Sequence, residues 1–402
     1  MRKPFLLSFA ALSLVACAVG PDYERPETVA PEHFARADAP FYTPGNVQND
    51  FWRQFNDPML TGLIDDTLAA NHDLRIALSR YDRARALLTN AGLDRWPTVT
   101  AKAAAADQRV SAAQLPDGSR SQRDYESYDA AITAAWEVDF FGRVRRNVEA
   151  ERANAEASAA DLAAAQVSVV AELAQSYFRL RGLQQQLAVA SSNADNQRNS
   201  LLLVNARLDA GSGTQLDVAQ AQRQLASTEA LIPALESDIA VTAHRIAVLS
   251  GRQPEALISE LEQPAALPTL PTSIPTGVPG ELLRRRPDVI AAERRLASAT
   301  AQIGVATADL FPRFTLGGLI GTQAIDTAVL FERDSETRAV ALGIDWSFLD
   351  VGRVRTRIAA ADADAAGDLA RYEQTVLLAL EETENALVRY ARLRREGAHL
   401  MA

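Results

Sequence analysis

Residues 128–145 read YDAAITAAWEVDFFGRVR, and residues 338–355 read RAVALGIDWSFLDVGRVR. In the first stretch Tyr128, Ala130, Ile132, Ala134, Trp136, Val138 and Phe140 fall on one side of a period of two. Asp129, Ala131, Thr133, Ala135, Glu137 and Asp139 fall on the other. The second stretch sets Val340, Leu342, Ile344, Trp346 and Phe348 against Ala339, Ala341, Gly343, Asp345 and Ser347. Such alternation predicts half-exposed strands. Residues 98–106 and 313–321 repeat it more weakly, through Val99, Ala101 and Ala103 and through Phe314, Leu316 and Ile320.

Two meanings are open for these four strands. An antiparallel sheet over a soluble core is one; the wall of a membrane barrel is the other. The strand length suits a tilted crossing, aromatic residues crowd one end of the apolar face, and the opposite face is polar. Four strands cannot close, and an open edge in lipid leaves unpaired backbone groups costing several kcal/mol each. Spanning strands therefore need several copies of the chain. Two copies would make a filled eight-stranded barrel, and three a twelve-stranded one with an aqueous lumen.

The two stretches belong to a longer repeat. Trp136 with Gly142-Arg143-Val144-Arg145 recurs as Trp346 with Gly352-Arg353-Val354-Arg355. Upstream, Trp96-Pro97 matches Phe311-Pro312, Asp73-Leu74 matches Asp288-Val289, and Ala77 and Arg80 match Ala292 and Arg295. The extra residues of the first copy fall in the polar stretch from about Asp107 to Glu126. The chain is thus two copies of helix, hairpin and long helix. The second copy ends before the position that corresponds to Gly211, so a fragment lacking the second returning helix is expected.

Between Gly142 and Asp209 there is no proline, and good helix formers dominate. Leu173, Leu180, Leu187, Ala194, Leu201 and Leu208 recur every seven residues, with Leu183, Ala190 and Val204 three further on. This is an a/d seam of helices packing by knobs into holes. Such a helix spans about 100 Å at 1.5 Å per residue, beyond any compact domain. Ala210-Gly211-Ser212-Gly213-Thr214 reads as a helix stop and restart. The seam resumes through Val218, Leu225, Ile232, Ile239 and Ile246, with Ala221, Leu235 and Leu249 beside it. An antiparallel hairpin follows, with a kink predicted at Pro233. Taken alone, the segment also fits a purely structural coiled coil. Asp57-Pro58 reads as a cap and first turn of a helix to about Leu93. Residues 252–280, with prolines at 254, 264, 268, 271, 275 and 279, read as an extended linker.

Arg2 and Lys3 precede an apolar run, Phe5 to Ala16, that ends at Cys17. That is a secretory leader, too short to span a bilayer as a mature helix. Leu14-Val15-Ala16-Cys17 resembles a bacterial lipoprotein signal, in which the thiol takes a diacylglycerol and becomes the first residue. Ala18, rather than an aspartate, follows Cys17, which favours sorting to the outer membrane. No later apolar run reaches 18 residues, so no transmembrane helix is expected. The 402 residues are 48% hydrophobic and 23% charged, which excludes wholesale disorder. A net charge of −10 argues against nucleic acid, and one cysteine makes no intramolecular disulfide or zinc cluster. Gly317, Gly318 and Gly321 lack dinucleotide spacing, no P-loop or His-Glu-x-x-His motif is present, and no catalytic constellation emerges. Arg284–Arg286 invites a phosphate or headgroup reading, but an ion-paired or solvated helix start before Pro287 accounts for it better.

The ordered set of motifs resembles the outer membrane factor (TolC-like) family, in its NodT-like lipoprotein branch. The set begins with Leu14–Cys17, Gly20-Pro21-Asp22-Tyr23, Phe51-Trp52, Phe55, Asp57-Pro58, Leu60, Asn71 and Asp73-Leu74. It continues through Trp136–Phe141, Gly142-Arg143, Gly211 and Asp217-Val218. It closes on Leu282–Val289, Ala291-Ala292-Glu293, Ile303–Ala306 and Phe311-Pro312. The resemblance implies a mainly helical chain whose long antiparallel hairpins form a tunnel and whose four strands join a trimeric, twelve-stranded β-barrel, the second helical hairpin being truncated. It implies passive export of drugs or other small solutes, with a periplasmic adaptor and an inner-membrane pump as partners. It implies no catalytic residue, no metal and no cofactor beyond a diacylglycerol and fatty acyl group on Cys17. Arg207, Gly211, Thr214, Asp217 and Val218 would form the adaptor-contact tip, although a plain helical turn needs the same glycines. Trp136, Phe140, Trp346 and Phe348 would face lipid.

The expected division is a signal peptide at 1–16, a lipid-anchored segment at 17–56, the first repeat's helix at 57–97 and its hairpin at 98–141. The long helical hairpin at 142–251 and the linker at 252–280 follow. The second repeat places its helix at 281–312, its hairpin at 313–351 and the start of its long helix at 352–402. Two other readings compete: a periplasmic coiled-coil adaptor lipoprotein with a soluble sheet, and an exit duct for secreted proteins.

Overall fold

A computed structural model describes residues 18–27, 30–37, 41–43, 45, 50–111, 113 and 123–401. Cys17 and the leader lie outside the described residues. The chain divides into two units. The first holds the chain up to Glu27 with Tyr81–Ala159 and Val289–Leu377, and the second holds Thr28–Arg80, Ala160–Asp288 and the chain from Leu378. Among the described residues the longer helices, in chain order, are α1 Pro58–Ala70, α2 His72–Leu93, α3 Arg143–Asp209, α4 Gln215–Glu229 and α5 Leu231–Leu249. Then follow α6 Pro279–Arg285, α7 Pro287–Ala308 and α8 Val351–Met401.

The first unit contains one antiparallel sheet: β1 Thr98–Arg109, β2 Asp124–Val138, β3 Arg313–Ala324 and β4 Glu336–Asp345, in that spatial order. Val99 lies opposite Ala134, Ala134 opposite Gly318, and Gly318 opposite Val340. The register therefore puts every apolar position of the alternation on one face. The strands stop before their aromatic ends. Phe140 lies beyond β2, and Trp346 and Phe348 lie beyond β4. Asp139 is drawn from the ladder because its carboxylate caps α3, accepting from Val144 N at 3.1 Å and Arg145 N at 2.9 Å. Gly142 makes the turn with φ of 83°, a conformation that favours glycine.

The repeat is preserved in three dimensions. Helices α2 and α7 both have 22 residues and lead into β1 and β3. The indole of Trp136 donates to Arg95 O at 3.0 Å, and that of Trp346 donates to Leu310 O at 3.0 Å. Arg95 and Leu310 occupy equivalent places, each one residue before the Trp-Pro or Phe-Pro pair.

In the second unit the seven-residue seam is the core. Leu173 and Leu180 of α3 pack, fully buried, with Ile239 and Ile246 of α5 and Leu60 and Ile64 of α1. Arg181 is buried among them at 2% exposure, its guanidinium donating to Gln184 Oε1 at 2.8 Å and Gln263 O at 3.0 Å. It lies 4.9 Å from the centre of the Tyr177 ring. Tyr177 donates to Asp57 Oδ2 at 2.7 Å, and burial with this bond pushes its phenol pKa up.

Four sequence expectations are corrected. The returning helix breaks at Ala230, between α4 and α5, rather than at Pro233. Proline has no N–H for the carbonyl of Glu229 and its ring crowds that turn, so the disruption falls on the preceding residues. The helix from Asp57 is two helices, because Asn71 leaves the helix to serve both neighbours. Its Oδ1 accepts from Asp73 N at 2.8 Å and Leu74 N at 3.1 Å, while its Nδ2 donates to Leu249 O at 2.8 Å. The second repeat's helix is likewise divided at Arg286, the residue before Pro287. The linker is partly folded: Ile258–Leu261 forms a short helix whose Leu261 enters the core with Leu257, and Ile274–Pro275 pairs in parallel with Tyr42–Thr43. Against the expectation of no membrane-crossing helix, one 18-residue window of α3 reaches a mean hydropathy of 1.2, long and apolar enough to cross a membrane by length and composition alone.

Leu180→Ala removes a fully buried side chain from this seam. It is expected to cost about 2–5 kcal/mol, read as a lowered denaturation midpoint of the detergent-extracted protein.

Candidate functional site

The candidate functional surface of the first unit is the apolar face of its sheet. Ile132 is 53% exposed, Leu342 67% and Val340 85%, so among the described residues nothing covers that face. A soluble sheet would bury it against a core; here Val99, Ile132, Leu316, Ile320, Val340, Leu342 and Ile344 are all open. From Tyr128 to Val138 the strand covers roughly 33 Å, or roughly 23 Å across a layer at 45° tilt, close to the height of an outer-membrane apolar band. At one end the face turns charged, with Asp107, Arg109, Asp124, Glu126, Glu336 and Arg338. At the other it is aromatic: Phe140 meets Phe314 edge-on at 5.1 Å, Trp346 lies 5.2 Å from Phe348, and Phe141 stacks on Phe311 at 4.6 Å. Phe140, Trp346 and Phe348 are about half exposed, whereas Trp136 is partly covered. The opposite face carries Thr98, Thr100, Lys102, Asp129, Thr133, Thr315, Gln323, Thr337 and small residues.

The segment that follows Cys17 is fixed at the aromatic end of this sheet. Val19 N donates to Phe141 O at 3.1 Å, and a Cβ on Gly142 would lie 2.6 Å from the Cα of Ala18. Arg146, 4% exposed, donates to Val19 O at 3.2 Å, Gly20 O at 3.3 Å and Asp22 Oδ1 at 2.6 Å. Gly20, at φ of 90°, packs so closely on Gly304 that a Cβ would approach its Cα to 2.4 Å. Further on, Tyr23 donates to the buried Glu293 at 2.8 Å, and burial followed by this bond drives the phenol pKa upward. Cys17 lies outside the described residues; the next residue is already anchored to the turn below β2.

In the second unit the hairpin tip joins α3 to α4. Ser212 N donates to Arg207 O at 2.9 Å and Gly211 takes φ of 74°, closing α3. Thr214 and Asp217 form a reciprocal capping box: Asp217 N donates to Thr214 Oγ1 at 3.2 Å, and Thr214 N donates to Asp217 Oδ2 at 2.9 Å. The Thr214 hydroxyl and then its backbone N–H hold the Asp217 carboxyl below the ordinary carboxylate range. Arg207, Gly211, Thr214 and Asp217 are exposed together. Val218, grouped with them from the sequence, is buried at 7% and forms the floor of the tip rather than its surface.

Residues 63–252 and 278–400 match the family of outer membrane efflux proteins. The chain belongs to this family. It is 31% identical over 414 residues to nodulation protein T of Rhizobium leguminosarum bv. trifolii, covering 98% of this chain and 82% of that protein. It is 33% identical to the outer membrane protein OprJ of Pseudomonas aeruginosa, covering 100% and 84%. The solved outer-membrane channel OprN is 42% identical and superposes with a TM-score of 0.90, covering 96% and 85%. The protein is thus an outer membrane efflux channel subunit that extends into the periplasm, in a family of channels rather than of enzymes.

In this efflux protein the aromatic residues singled out from the sequence gather at one end of the sheet, and the tip residues gather at the turn. Arg146 and Gly304 were not distinguished as partners. Arg146 ends a run of arginines indistinguishable by sequence from solvated ones, and Gly304 gave no sign of facing Gly20. Arg284–Arg286 is a helix end with ion pairs rather than an anion site: Arg286 meets Asp288 and Glu382, both at 2.7 Å. Among the described residues no group of three or more His, Cys, Asp or Glu is placed to hold a metal ion.

Thr214→Ala removes one side of the capping box, a loss of about 1 kcal/mol in comparable helices. Faster amide exchange at Asp217 and Val218, with the rest of α4 unchanged, is expected. Because the Asp217 pKa is depressed, the acid's share of the cap is complete above about pH 4 and is lost as pH falls through its lowered value.

Proposed function

We propose that three copies of this efflux protein share one twelve-stranded barrel in the outer membrane and form a passive exit duct for drugs or other small solutes. The uncovered apolar face of a four-stranded, open-edged sheet carries the proposal. That face meets lipid, with Trp136, Phe140, Trp346 and Phe348 at one interface and the charged positions at the other. The opposite face, rich in threonine, alanine and glycine, lines the lumen and offers a wet wall with no reacting group. The duct performs no chemistry of its own; an inner-membrane pump drives transport through a periplasmic adaptor.

Two further parts support this reading. The fixed strap from Ala18 to Tyr23 would hold an acylated Cys17 at the aromatic end of the sheet, where its chains enter the inner leaflet of the outer membrane. The exposed tip residues Arg207, Gly211, Thr214 and Asp217 serve as the adaptor contact, with Val218 supporting them from inside.

Ile132→Arg and Ile344→Arg place a charge in mid-membrane and should each cost roughly 2–4 kcal/mol of insertion stability. The readout is the fraction resisting alkaline extraction from outer membranes; full tolerance of both changes would overturn the barrel. Cys17→Ser should abolish acylation yet leave protein in the membrane. Complete release into the periplasmic fraction would contradict the reading.

A further inference from the structure

The sheet leaves β1 and β4 as open edges, and its own register limits how a second copy can meet them. The line of paired residues from Val99 runs through Ala134 and Gly318 to Val340. Val99 is near the start of β1, whereas Val340 is at the middle of β4. Strand centres therefore slide by about five residues over three steps, or roughly twenty around twelve strands. Three identical copies require a total stagger divisible by three, and the two-faced alternation requires an even one. Only multiples of six remain.

Strand tilt narrows the choice. Twelve strands at about 4.8 Å have a girth of about 58 Å, and a stagger of eighteen residues at about 3.3 Å gives a tilt of about 45°. A stagger of twelve gives about 35°, which is also admissible, and twenty-four gives about 54°, which exceeds the range of 35–45°. The observed slide is nearest to eighteen, six residues per protomer. The line through Val340 then meets Ala105 of the next copy.

Charge decides between the two admissible values. Within the chain Asp107 lies opposite Glu126, a like-charge pair, and Arg338 and Glu336 lie opposite Ile320 and Thr322. Among the described residues Asp107, Glu336 and Arg338 make no ion pair, while Arg109 meets Asp124 at 2.9 Å. A stagger of six per protomer brings Asp107 opposite Arg338 and Arg109 opposite Glu336. A stagger of four would bring Asp107 against Glu336, which is repulsive.

We infer that β1 of one protomer pairs antiparallel with β4 of its neighbour in the register that sets Ala103 opposite Leu342, Asp107 opposite Arg338 and Arg109 opposite Glu336. The occupant of each open edge is a second copy of this chain, and the seam is sealed near the charged rim by two crossed ion pairs. Arg338 also places a positive charge beside the Asp107–Glu126 pair, easing their repulsion. This seam rests on the shared-barrel reading above.

Disulfide trapping in outer membranes tests it on the full chain. Ala103→Cys combined with Leu342→Cys, and separately Asp107→Cys combined with Arg338→Cys, should form inter-protomer disulfides that reductant releases. Ala103→Cys combined with Val340→Cys or with Ile344→Cys should crosslink at least about tenfold less, because two residues off register exceeds disulfide reach. Ala103→Cys alone identifies any adduct with Cys17. Preferential trapping of an off-register pair would overturn the register and leave the shared barrel standing. Absence of inter-protomer trapping by every pair, with strands still inserted, would overturn both.

Discussion

The edges of the four-stranded sheet govern the rest of the molecule. Among the described residues, the outer edges of β1 and β4 pair with no strand, and they lie beside an apolar face that nothing covers. In water this would be an aggregation surface; in lipid the unpaired groups are costlier still. One chain has no remedy for both at once. A barrel shared among copies satisfies the edges and turns the apolar face to acyl chains in one step.

The remaining structure holds this sheet in a fixed setting. Each hairpin is secured below by a tryptophan that bonds the turn after the preceding helix, so both repeats fix their strands to that helix in the same way. Asp139 ends β2 and starts α3, and the arginine of the same turn holds the N-terminal strap. In the second unit, long α3 and the returning helices close on the seven-residue seam, with Arg181 and Asn71 satisfying carbonyls that the broken helices would otherwise leave bare. Breaks in the helices fall where a proline or a bonded asparagine interrupts the ladder.

The alternation in residues 128–138 and 340–344 was legible because a period of two identifies a face without any tertiary information. The seam at Leu173, Leu180, Ile239 and Ile246 was legible for the same reason. Strand ends were not, since the alternation continues to Phe140 and Phe348 while Asp139 turns to cap α3 and Trp346 bonds Leu310. Leu257 and Leu261 were hidden in a proline-rich stretch whose composition reads as linker. Val218 sits in the tip motif but also on the seam, and packing took it. The anchor role of Arg146 could not be read at all, because it depends on the contact of Gly20 with Gly304.

Whether several chains complete one barrel is decided most directly by the mass of the detergent-extracted protein. Light scattering with the detergent contribution subtracted, on protein taken from outer membranes, should return three protomers. A stable mass of one protomer, with the strands still inserted, would contradict a barrel shared among chains.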